Sequence, residues 1–204
     1  MRRLGILVIS FLLIVAGAAS AQDTSRSEFS GGWRYYHATL SSVVRPVQVR
    51  VPNNYPKGWY ADAAVNLSPK FAIVGEAGGS YFSDDFNSTA GAVSIKESLD
   101  LKFHTFMGGA RVRAPQLPWF VPFGQVLFGG EHDTSTDERT LTILQNTSRN
   151  RQDRSSSNAA LALDSGATIM LGRIGVRASA GYVRLFSTAD ADAFRFSLGA
   201  AFRF

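Results

Sequence analysis

Cysteine is absent from the 204 residues, which excludes disulfides and a lipid anchor attached at cysteine. Histidine is scarce: His37, His104 and His132 are the only three. No glycine-rich phosphate loop, zinc-ligand spacing or nucleic-acid motif occurs, so no cofactor, metal or nucleic-acid partner is expected. Neither sign of charge dominates, with 21 Lys and Arg against 16 Asp and Glu for a formal net charge of +5. Long apolar runs are missing after the N-terminus, and a membrane-spanning helix needs roughly 20 such residues. The length suits one domain and leaves no room for a second sizeable core.

The one apolar run lies at the start. Arg2 and Arg3 precede Leu4–Ala19, interrupted chiefly by Ser10, and Ala19-Ser20-Ala21 offers small residues for cleavage. A basic start, an apolar centre and a small-residue exit are the three parts of a secretory signal peptide. The run falls short of a bilayer-spanning helix. Residues 1–21 are therefore expected to be removed on export, leaving Gln22–Phe204 and lowering the net charge from +5 to +3.

What the chain does have is glycine and phenylalanine, 19 and 15 residues, set in alternating segments. Along Ala193–Phe204, the residues Phe194, Phe196, Leu198, Ala200, Phe202 and Phe204 take one face and Arg195, Ser197 and Arg203 the other. A period of two with large apolar groups on one side marks a half-buried strand, or a barrel wall whose apolar side meets lipid. Seven further segments carry strands: Gly31–Thr39, Gly58–Leu67, Phe71–Phe82, Leu101–Arg113, Phe120–Glu131, Asn158–Leu171 and Ile174–Phe186. The fifth is apolar on both faces, and the alternation of the seventh blurs after Tyr182, as a bulge would make it.

The connections alternate too. Ser68-Pro69-Lys70, Ala114–Trp119 and Gly172-Arg173 are tight, whereas Leu40–Lys57, Ser83–Asp100 and His132–Ser157 are long and polar. The last link, Ser187–Asp192, is intermediate. Strict alternation of short and long links is expected of short periplasmic turns and long outer loops. Aromatic residues gather at strand ends, as interfacial belts do. Trp33, Phe71, Trp119, Phe120, Phe202 and Phe204 are assigned to the turn end. Trp59, Tyr81, Phe82, Phe128, Phe186 and Phe194 are assigned to the loop end.

A strand that closes on Phe202-Arg203-Phe204 resembles the C-terminal recognition signal of bacterial outer-membrane β-barrel proteins. The stretches Gly58-Trp59, His104–Arg111 and Pro122–Gly130 extend the likeness over most of the mature chain. Together they resemble the outer-membrane β-barrel domain family, the eight-stranded group that includes the OmpA transmembrane domain. That resemblance implies an all-β, eight-stranded antiparallel up-and-down transmembrane β-barrel over residues 31–204, preceded by a short periplasmic segment at 22–30. It also implies a monomer in the outer membrane of a Gram-negative bacterium, inserted by the assembly machinery with Phe202 and Phe204 as the signal. No peptidoglycan-binding domain accompanies the barrel, so cell-wall tethering is not carried over.

An eight-stranded barrel is just wide enough for side chains to fill it. The alternation sends Arg34, Asp62, Glu76, Arg111, Arg113, Asp164, Arg177, Arg195 and Arg203 inward. Buried charges must be paired or cost several kcal/mol each, so Asp62, Glu76 and Asp164 are expected to pair with Arg34, Arg111, Arg177 and Arg195. Arg113 and Arg203 are expected near the periplasmic mouth. Such a network plugs the lumen and favours a structural or surface-interaction role over a pore.

At the outer rim, Arg139, Arg149, Arg151 and Arg154 lie in the link His132–Ser157. Arginine forks match phosphate oxygens, making these four candidates for contact with lipopolysaccharide among the surrounding lipid. An alternative of another class is a lipid-modifying enzyme built on His37 or His132 with Ser41, Ser42, Glu131 or Asp133. Scattered triad parts carry little weight, and no catalytic residue is assigned. Nor does Glu131-His132-Asp133 form a metal cluster, because adjacent residues of an extended chain point to opposite faces.

Overall fold

Backbone hydrogen bonds pair each strand with the next around a ring, which closes because the first strand also pairs with the last. The computed structural model describes residues 27–40, 54–90, 93–114, 119–143, 146–186 and 191–204. The signal-peptide assignment lies outside these residues. Strands β1 (Ser27–Leu40), β2 (Asn54–Tyr55), β3 (Lys57–Asn66), β4 (Phe71–Ala90) and β5 (Val93–Arg113) are followed by β6 (Phe120–Ile143), β7 (Asn146–Leu171), β8 (Ile174–Phe186) and β9 (Ala191–Arg203). Every pairing is antiparallel, neighbours in sequence are neighbours in the sheet from β3 to β9, and β1 pairs with both β3 and β9. The result is a closed eight-stranded up-and-down barrel. β2 adds to β1 at Tyr36–Tyr55 and His37–Asn54. It is separated from β3 by Pro56, which has no N–H to give to a ladder.

The two faces of the wall differ in kind. Phe29, Ile73, Phe106, Val126, Leu163, Val176 and Leu198 are exposed on the outside, Phe106 by 58%. Inside, Arg34, Asp62, Glu76, Arg111, Arg177 and Arg195 are buried. A polar interior within a continuous apolar exterior suits a barrel surrounded by lipid and would be insoluble in water. Tight turns close one end. Ser68 Oγ accepts the backbone N–H of Phe71 at 3.1 Å, and Gly172 takes a φ of 72° in the β7–β8 turn, a conformation glycine adopts without steric cost.

Several expected boundaries move. β1 begins at Ser27 and pairs with Val65 there, so residues 27–30 are barrel wall and the separate segment expected at 22–30 is shorter. Trp33 consequently stands opposite Trp59, and its Nε1 donates to the Pro56 carbonyl at 2.7 Å; it belongs at the loop end, not the turn end. Phe82 points inward, its ring 6.1 Å from that of Tyr55, so it is lumenal rather than interfacial. β8 has no bulge: its register with β7 and β9 is unbroken, with Val183 and Leu185 buried inward. The alternation blurs there because the outer part of the lumen is itself apolar.

The largest correction concerns the second and third long links. Ser83–Ala90, Val93–Asp100, His132–Ile143 and Asn146–Ser157 are not loops but continuations of the strands. β4 and β5 stay paired to Ala90–Val93, and β6 and β7 to Ile143–Asn146. Pairing of β3 with β4 ends at Lys57–Tyr81, and that of β7 with β8 at Ala159–Phe186. A four-stranded sheet therefore runs on beyond the ring. At roughly 3.3 Å per residue, the stretch from His132 to Ile143 adds about 40 Å.

Candidate functional site

Two connected clusters of charge lie in the lumen. Nearer the turns, Glu28 meets Arg111 at 3.1 Å, Arg203 at 2.9 Å and Arg113 at 3.6 Å, and also contacts Arg177. Asp62 lies 3.2 Å from Arg111 and 3.1 Å from Arg177, and accepts the Ser30 hydroxyl at 2.6 Å. Farther out, Glu76 pairs with Arg34 at 2.9 Å and Arg195 at 2.8 Å, and Arg195 reaches Asp164 at 2.5 Å. Gln125 joins the clusters, accepting from Arg111 Nε and donating to Asp164, both at 2.9 Å. Arg111 and Arg177 also cover the Phe123 ring, 4.8 and 4.9 Å from its centre.

Local sequence makes room for this packing. Gly181 faces Asp164 across the β7–β8 ladder, and a Cβ there would lie 1.8 Å from Asp164 Oδ1. Above the charged layers the interior turns apolar, with Tyr36, Tyr55, Leu101, Met107, Leu127, Val183 and Leu185 in one cluster. Glu131 enters this apolar part with no arginine against it among the described residues. Its partner is the Tyr36 hydroxyl, which donates at 3.2 Å.

The rim residues separate by face. Arg149 and Arg151 lie on the outward face of β7, where Arg149 meets Glu138 at 2.5 Å and Arg151 meets Asp153 at 3.1 Å. Arg139 and Arg154 continue the inward face of β6 and β7, and Arg154 donates to Gln152 at 3.4 Å. Asp153 is held below the ordinary carboxyl range by the Thr136 hydroxyl and then by Arg151. All three histidines point outward. His132 Nδ1 lies 2.8 Å from Ser157 Oγ and His37 Nδ1 lies 2.6 Å from Asn54 Oδ1. Glu131 and Asp133 are on the opposite face from His132, so no His–Ser–acid set assembles there. Ser41 and Ser42 fall outside the described residues.

No family model matches the chain, and no curated protein matches it. Solved structures do. The Ail attachment invasion locus protein of Yersinia pestis, in complex with the heparin analogue sucrose octasulfate, superposes with a TM-score of 0.55 at 17% identity, over 88% of this chain and 98% of that one. Neisserial surface protein A superposes with a TM-score of 0.50 at 11% identity, over 89% of this chain and 98% of that one. This chain has the fold of the small outer-membrane β-barrels.

Within that barrel, Glu28 and Gln125 of the charge network escaped the sequence reading, and Glu131, assigned to the outer rim, is lumenal as well. Glu28 was hidden because the glycine pair Gly31-Gly32 reads as a strand start. The signal was present: Phe29, Gly31 and Trp33 alternate with Glu28, Ser30 and Gly32. Gln125 was hidden because it is neutral and its strand is apolar on both sides.

Proposed function

We propose that the protein is an integral outer-membrane barrel with a plugged lumen and a structural or surface-interaction role. Its outward sheet is the part that meets the surroundings. The observation that carries this reading is the lumenal charge network, in which Glu28, Asp62, Glu76 and Asp164 are each held by arginine side chains. Groups packed in this way block a water-filled path and offer solutes no open channel. Planar-bilayer recording tests the plug: absence of stable conductance large enough for sugars is expected, and such conductance would overturn it.

The partner supported best is the phosphate-bearing lipopolysaccharide around the barrel. Beyond its last pair with β8, the edge strand β7 carries Arg149, Arg151 and Arg154 against Asp153 alone. The sucrose octasulfate bound to Ail is a polyanion of comparable chemistry. An arginine near an anionic lipid surface contributes about 1 kcal/mol. Replacing all three by alanine should therefore weaken lipopolysaccharide binding by about 100-fold, with a shallower salt dependence. Unchanged affinity would remove this partner.

A further inference from the structure

His132 has no usable partner among its sequence neighbours, but it has one across the sheet. In the β5–β6 ladder His104 stands directly opposite His132. Both point outward, because the adjoining residues Thr105 and Glu131 are buried in the lumen. Directly opposed residues hold their Cβ atoms about 4.5–5.5 Å apart. At that spacing two imidazoles can close on one ion at metal–nitrogen distances of about 2.0–2.1 Å.

Two hydroxyls flank the pair. The Tyr81 hydroxyl lies 3.3 Å from His104 Nε2, and Ser157, opposite His132 on β7, brings its Oγ to 2.8 Å from His132 Nδ1. Trp59 Nε1 donates to the Tyr81 hydroxyl at 3.0 Å. A single exterior row thus crosses five strands at the base of the outward sheet. These contacts orient each ring through one nitrogen and leave Nδ1 of His104 and Nε2 of His132 to meet an ion.

The geometry points to a surface site in which His104 and His132 together bind one divalent transition-metal ion of the kind that prefers imidazole, such as zinc. Imidazole suits zinc, copper and nickel, whereas calcium and magnesium demand oxygen ligands. Among the described residues no group of three or more His, Cys, Asp or Glu converges. The site is therefore a two-imidazole clamp whose remaining positions stay open to water. It captures an exchangeable ion at the surface and ties β5 to β6 where the sheet leaves the ring.

The test is calorimetric titration of zinc chloride into the untagged, detergent-solubilised protein, with heat-modifiable gel mobility checking that each variant is folded. One saturable ion per chain is expected. His104→Ala and His132→Ala should each lower the affinity by at least tenfold, since losing even a group that orients a ligand costs about 10–100-fold. His37→Ala, on the far side of Trp59, should leave binding unchanged. The inference is overturned by an absence of saturable binding, by unchanged affinity in either rim variant, or by an equal loss in His37→Ala.

Discussion

Glu28→Gln is the sharpest perturbation of the lumen, because four arginines converge on that one carboxylate. The substitution keeps the shape and removes the charge. Asp62 continues to hold Arg111 and Arg177, at 3.2 and 3.1 Å, while Arg113 loses the only carboxylate within reach among the described residues. Arg203, with 22% of its side chain exposed, can turn towards water. Breaking a buried ion pair costs about 3–5 kcal/mol, and the two relief routes place this variant near the lower figure, about 3 kcal/mol. Urea unfolding in lipid vesicles, followed by tryptophan fluorescence, measures it. Glu131→Gln is the matched control, since Glu131 is equally buried but answers to Tyr36 rather than to an arginine. Its stability should stay within about 1 kcal/mol of the parent, the usual scale of one hydrogen bond. A loss below about 1 kcal/mol for Glu28→Gln, or equal losses for the two variants, would refute the idea that arginine pairing holds the lumen together.

Two further outcomes follow from other parts of the wall. Gly181→Ala should destabilise the barrel by about 1–3 kcal/mol in the same unfolding assay, because its Cβ would press on Asp164; a neutral result would mean the neighbouring strands yield freely. Removing Phe204 should lower the amount of barrel recovered in outer-membrane fractions while leaving refolding of purified protein into detergent unchanged. Normal membrane levels would count against a role for the terminal aromatic in assembly.

The membrane-level wall was legible because one face of each strand is apolar and the other carries charge, small residues or glycine. Ile174–Phe186 even keeps its expected limits. The outward sheet was not legible in β6 and β7, since Ser, Thr, Asp and Arg occupy both faces there, although in β5 Leu99 and Leu101 alternate with Ser98 and Asp100. Where neither face is apolar, alternation has nothing to alternate. The lumenal residues were legible as a set but not as partners. Arg177 meets Glu28 and Asp62 from sequence distances of 149 and 115 residues, a relation that only closure of the ring creates. The opposition of His104 and His132 was hidden for a related reason, because it depends on the register of two strands whose pairing continues well past the ring.

The pairing of β1 with β9 sets an order on the birth of the molecule. Thirteen residue pairs, from Glu28–Arg203 to Leu40–Ala191, join the two extremes of the wall, and none can form before the final strand arrives. Contacts of such long range must be won against loop-closure entropy and form slowly. Until they do, Glu28 is on one lip of an open sheet and Arg177 and Arg203 are on the other, all of them wet. Zipping the seam is therefore the moment at which Glu28 first meets Arg177 and Arg203. A chain cut short of β9 has no smaller version of this fold to fall back on.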